Sequence, residues 1–238
     1  MRFVMTESEA LCIKQKYNFG QLLGLNVKQR IKFGTEKALR EKGVIYPFAG
    51  HDELKVEYRA LFSYWSKMRY SIARPELNTK DHFQCLLSNE EIIIFFVREK
   101  DQITIDLFDF SVERFEKMVK AFAEMDEQIS ADKKFNITIS VEDYEAFMES
   151  KNTENYAVWQ RKWGIETAVL EKYAQTIMSP QEQLLLVEDH VGEVGYLAKI
   201  VNAADGIYGF KHVTRGDNQK IVLLLGDAQF VMDSIYNF

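Results

Sequence analysis

The chain has 238 residues, 47% of them hydrophobic and 28% charged, with a formal net charge of −6. That length can bury a sizeable core, and the acidic balance disfavours a large phosphate-binding surface. Three prolines and twelve glycines leave no room for a disordered linker, and the longest apolar runs, Ile92–Val97 and Ile221–Leu225, fall far short of the roughly 20 residues a membrane helix needs.

Phe3–Met5 predicts a short strand. Thr6 and Glu9 follow as a capping box, the hydroxyl accepting from the backbone while the carboxylate reaches back. A helix then runs through Ala10, Leu11, Ile13 and Lys14, and Leu22–Leu25 is an apolar connector. Val27, Ile31, Ala38 and Leu39 predict a helix from about Val27 to Lys42. Gly43 is its left-handed stop, and Val44–Tyr46 is extended. Asp52 is placed to cap a long helix with Leu54, Tyr58, Leu61, Trp65, Met68 and Ile72 at three/four spacing, which Pro75 ends. A three-strand meander occupies about Phe83 to Phe110. Ser111 caps a helix carrying Val112, Phe115, Met118, Val119 and Phe122.

The polar stretch from Asp126 to Lys134 joins this half to a second one. Ile137 and Ile139 open the second half, and Ser140 and Asp143 repeat the earlier cap. A helical stretch spans about Glu154 to Ile177. Ser179-Pro-Gln-Glu reads as a helix start, with Pro180 in the first turn and Glu182 closing the box. That helix is expected to continue towards Ala203, with Gly192 and Gly195 allowing close packing. Phe210–Arg215, Ile221–Leu225 and Gln229–Ile235 then form a second meander. Each half therefore reads strand, helices, meander: 1–130 and 131–238. Two copies this long point to one pseudo-twofold α+β body, a central antiparallel sheet with flanking helical bundles, rather than a solenoid.

Chemistry-bearing patterns are sparse. His51, His82, His190 and His212 have no metal-ligand spacing. Cys12 and Cys85 sit in apolar contexts as buried free thiols of a reducing compartment. Asp106 and Asp233 take similar places in the two meanders, where carboxylates on outward strand faces are commonplace. There is no G-x-S-x-G nucleophile elbow, P-loop or dinucleotide fingerprint. The expectation is a non-enzyme with no catalytic residue, cofactor or metal. The N-terminus has no basic region followed by an apolar stretch, so a cytoplasmic protein is expected.

Two segments could bind a macromolecule. Lys28, Arg30, Lys32, Lys37, Arg40 and Lys42 cluster in a segment ending Ala38-Leu-Arg-Glu-Lys-Gly-Val-Ile, which resembles the last helix and wing entry of a winged helix. Tyr156, Trp159 and Trp163 share one helix face with polar residues between, either as core or as anchors of a groove for a partner helix.

Several stretches together resemble the EspG family, the cytosolic chaperones of mycobacterial type VII secretion. They are the opening Phe3-Val-Met-Thr-Glu-Ser-Glu-Ala-Leu, the connector Leu22-Leu-Gly-Leu, and the helix end Ala38-Leu-Arg-Glu-Lys-Gly-Val-Ile. The ending, Gly209-Phe-Lys-His-Val, Ile221-Val-Leu-Leu-Leu and Gln229-Phe-Val-Met-Asp, is similar too. The resemblance implies a quasi-twofold body and a non-enzymatic chaperone or adaptor whose partner is a helical secretion substrate. It carries over no individual site residue. The other readings are an immunity protein that neutralises a toxin through its acidic surface, and a winged-helix regulator.

Overall fold

Alternation begins the chain: Phe3 and Met5 point inward from β1 (Arg2–Thr6) while Arg2 and Val4 point out. The expected capping box then starts α1 (Glu7–Lys16). Glu9 N donates to Thr6 Oγ1 at 3.1 Å and Thr6 N donates to Glu9 Oε2 at 2.7 Å. This computed structural model describes residues 1–25, 29–89, 91–150, 153–178, 183–190, 194–215 and 218–236. Two compact units emerge, Met1–Ser111 with Asp189–Val191, and Val112–Glu188 with Gly192–Phe238.

In the first unit, α2 (Thr35–Glu41) is followed by the hairpin β2 (Ile45–Phe48) and β3 (His51–Leu54), then α3 (Val56–Trp65) and β4 (Tyr70–Ala73). The meander β5 (His82–Ser88), β6 (Ile92–Glu99) and β7 (Gln102–Asp109) falls where the sequence predicts it. The strand order is β1-β7-β6-β5-β4, with antiparallel pairing throughout. Ile94 and Phe96 on the middle strand are fully buried with Phe62, Trp65, Ile103 and Ile105. Burying each such side chain contributes about 1.5–3 kcal/mol.

The second unit opens with α4 (Val112–Phe122), β8 (Phe135–Ser140) and α5 (Val141–Met148). There follow α6 (Thr153–Trp163), α7 (Thr167–Ile177), β9 (Gln183–Asp189), β10 (Val194–Ala203), β11 (Gly206–Arg215), β12 (Asn218–Gly226) and α8 (Ala228–Tyr236). Its strand order is β9-β10-β11-β12-β8, and β10, β11, β12 and β8 pair antiparallel. The fold class is α+β, with eight α-helices among the described residues.

Several predicted elements are corrected. The helix expected from Ser179 to Ala203 is replaced by β9 and β10; Ser179, Pro180, Glu182 and Gly192 lie outside the described residues. Burial alternates along β9, with Leu185, Val187 and Asp189 inward, and inward Tyr196, Ala198 and Ile200 do the same along β10. A short apolar run such as Leu184–Val187 has no period of its own, and strand neighbours decide it. The second meander's last strand, Gln229–Ile235, is instead α8. Ala228, Val231, Met232 and Ile235 are its buried face, at helical spacing, and Asp227 Oδ1 accepts from Phe230 N at 2.9 Å to start it. Asp106 and Asp233 therefore sit on a strand and a helix.

The long helix expected from Asp52 splits into β3, α3 and β4, because Leu54 pairs with Ile45 and Ile72 with Leu86. The Val27–Lys42 helix is only α2, which begins after Gly34 at φ 81°. Residues 26–28 lie outside the described residues. The Glu154–Ile177 stretch is two helices, parted by Gly164 at φ 72°, a left-handed conformation glycine tolerates.

Candidate partner-binding surface

Ser140 ends β8 and starts α5, its Oγ accepting from Asp143 N at 3.1 Å. Phe147 thereby reaches the centre of the helical layer, where it is fully buried. Around it stand Tyr156, Trp159, Trp163 and Tyr173, with ring centroids 5.8, 6.1, 5.1 and 6.2 Å away. Residues 156, 159 and 163 are three and four apart, so α6 offers them from one face. Trp159 and Trp163 stack at 4.7 Å.

Polar atoms lock this cluster. Tyr156 Oη donates to Ser150 O at 2.9 Å and Trp159 Nε1 donates to Ser150 Oγ at 3.0 Å. Lys162 Nζ lies 5.6 Å from the Trp159 ring centre and donates to both Asp143 oxygens at 2.6 Å. Tyr173 Oη donates to Gly209 O, tying α7 to β11. Burial pushes the Tyr144, Tyr156 and Tyr173 phenols up, and Tyr156 and Tyr173 act as neutral donors on apolar bodies.

The three anchors named from sequence are brought together, but they differ in role. Tyr156 is buried core; Trp159 and Trp163 are half-buried, packed on that core from its rim. Beside Trp159 lies an open cleft of about 330 Å³ lined by Ala146, Glu149, Ser150, Asn155, Val158 and Trp159. Val158 is 53% exposed. Sequence reasoning missed Val158, which lies off the periodic face, and Phe147 as the hub, which only the packing of α5 on α6 reveals.

The remaining candidates come out differently. In the segment likened to a winged helix, α2 and the β2–β3 hairpin do follow one another, but Lys32, Arg40 and Lys42 are engaged by carboxylates. Arg40 binds Glu36 at 2.8 Å and Asp52 at 2.7 Å, Lys42 binds Glu9 at 2.7 Å, and Lys32 binds Asp101 at 2.7 Å. A phosphate backbone needs such charges available. His51 bonds Glu53 Oε1 at 2.8 Å and His190 bonds Ser71 Oγ at 2.8 Å. Among the described residues no three His, Cys, Asp or Glu side chains group as metal ligands. Cys12 and Cys85 are buried free thiols. No helix among the described residues is long and apolar enough to cross a membrane.

No protein-family model matches the chain, and no curated protein matches it in sequence. Among solved structures, the chain is similar over nearly its whole length to the Mycobacterium tuberculosis type VII secretion system chaperone EspG5, in complex with the PE25–PPE41 dimer. The two share 11% identity and a TM-score of 0.59, over 99% of this chain and 94% of that one. The fold is EspG-like. At that identity the likeness rests on element order and packing, so it speaks for the EspG-like fold and not for any single residue.

Proposed function

We propose that this chain is a non-enzymatic cytosolic chaperone or adaptor that binds a helical secreted substrate of a type VII-like secretion system. The observation that carries this reading is the EspG-like fold along 99% of the chain, since the similar structure is a chaperone held in complex with its PE25–PPE41 partner. The half-buried Trp159 and Trp163, with exposed Val158 beside an open cleft, have the character of aromatic anchors at a protein interface. Buried Tyr156 supports them from beneath. A helical partner would place apolar side chains against this face, at three/four spacing. About 800 Å² per partner suffices for a specific complex.

The test is affinity purification of the tagged full chain from its native host, beside a Trp159→Ala variant. A stoichiometric helical secretion substrate that is lost from the variant supports the proposal, the variant's fold being checked by circular dichroism. Recovery of the chain alone sinks the chaperone reading. Recovery of a substrate equally well by both forms keeps the class but removes the α6 face as the site.

A further inference from the structure

We propose that β8 is a docking edge for a second copy of this chain, the two β8 strands pairing antiparallel across a twofold axis. The observation is an unguarded edge. β8 pairs with β12, and it has no other strand neighbour among the described residues. Its outer row of backbone N–H and C=O groups is therefore a template for another strand. Folded proteins usually blunt such an edge with lysine, proline or a bulge. Phe-Asn-Ile-Thr-Ile-Ser has no charged residue and no proline, and its register with β12 runs residue for residue from Ser140 to Phe135 without a bulge. β1, the outer strand of the first unit, differs: Arg2 holds Asp106 in a bidentate pair at 2.8 and 2.7 Å.

Charge selects the occupant. Lys133 and Lys134 precede β8, and Glu142 and Asp143 follow it in the first turn of α5. An antiparallel copy brings the basic entry of each strand to the acidic exit of the other. Twofold symmetry also fixes the register. An axis normal to the sheet keeps every side chain on its own face, so each residue must meet one an even number of positions away or itself. Thr138 against Thr138 sets Ile137 on Ile139 and Asn136 on Ser140, and brings Lys133 and Lys134, just before the strand, towards Glu142 and Asp143 in the first turn of the partner copy's α5. Centring on Ile137 instead slides the strands by two residues and carries each basic entry away from the acidic turn. The favoured register also gives Thr–Thr and aliphatic cross-strand pairs, and Ile137 and Ile139 extend the apolar face they already share with Phe135. Within one copy Lys133 binds Glu166, Lys134 binds Asp227 and Asp143 binds Lys162. Partly exposed pairs of this kind exchange partners at little cost.

Sedimentation velocity on the full chain, without any client, tests this from about 1 to 200 µM, a range that resolves micromolar dimers. Wild type is expected to dimerise with concentration. Thr138 is exposed, so Thr138→Lys and Thr138→Glu are tolerated by the monomer, and each sets like charges opposite one another. Each alone is expected to dimerise at least about tenfold more weakly, and an equimolar mixture is expected to restore the dimer, which also shows that both variants fold. Wild type that stays monomeric throughout overturns the proposal. So does a dimer that Thr138→Lys leaves unchanged, or a mixture that associates no better than its parts. The experiment is independent of the chaperone reading, which stands or falls on client capture.

Discussion

Replacing Phe147 by Ala removes a ring that Tyr156, Trp159, Trp163 and Tyr173 all touch. The side chain is fully buried, and a phenylalanine deleted from such a site costs about 3–5 kcal/mol, transfer and residual cavity together. Edge-on ring pairs contribute about 0.5–1.5 kcal/mol each beyond area; three of the four pairs are edge-on, with Tyr156, Trp159 and Trp163, which places Phe147 near the upper end, at about 4–5 kcal/mol. Against the about 5–15 kcal/mol total of a typical domain, the loss threatens the whole α5–α6–α7 layer. The assay is urea denaturation followed by tryptophan fluorescence. Of the three tryptophans, Trp159 and Trp163 stack beside Phe147, while Trp65 lies in the first unit's core. A Trp65→Phe background isolates the signal. Phe147→Leu is the control, expected to lose no more than about 1.5 kcal/mol because it keeps most of the volume. A loss below about 1 kcal/mol for Phe147→Ala would refute the cluster as the core of the layer, and with it the argument that Trp159 stands on a rigid base.

Three further outcomes are expected. Glu9→Ala leaves Thr6 N without its acceptor and Lys42 without its partner, and should cost about 1–3 kcal/mol in denaturant melts. The Asp52 carboxyl is held well below the usual range by hydrogen bonds from Arg40 and then Lys16. Its contribution is therefore fully present above the unfolded value, about pH 4, and is lost as pH falls below that; Asp52→Asn should flatten the acid limb of the stability–pH curve. Burial alone pushes the Cys85 thiol well up, so native protein at pH 8 should leave Cys85 unlabelled by a thiol reagent until denaturant is added, as mass spectrometry of the labelled peptides would show.

Elements whose signals are local can be read from residue order without tertiary partners. The Thr6/Glu9 box and the Ser140 cap are side chains reaching their own backbone three residues away, so no tertiary partner is needed to write them. The β5–β6–β7 meander follows from apolar strands separated by polar turns, with Lys100 at φ 56° in one of them. Tyr156, Trp159 and Trp163 share a face because 3.6 residues make a turn.

The other elements depend on contacts between residues distant in the chain. Leu184–Val187 is a short apolar run and Phe230–Ile235 a short, mostly apolar segment interrupted by Asp233 and Ser234, and either could be strand or helix. β9 is a strand because β10 lies beside it, and α8 is a helix because its Ala228, Val231, Met232 and Ile235 face is the one buried. Leu54 and Ile72 sit at helical spacing by coincidence of two strands flanking α3. Which rim of the aromatic cluster faces outward, and that β8 is left as an edge, depend on contacts between residues far apart in the chain. Local propensities contribute tenths of a kcal/mol per residue, while burying one large side chain contributes whole kcal/mol; where the two disagree, packing prevails.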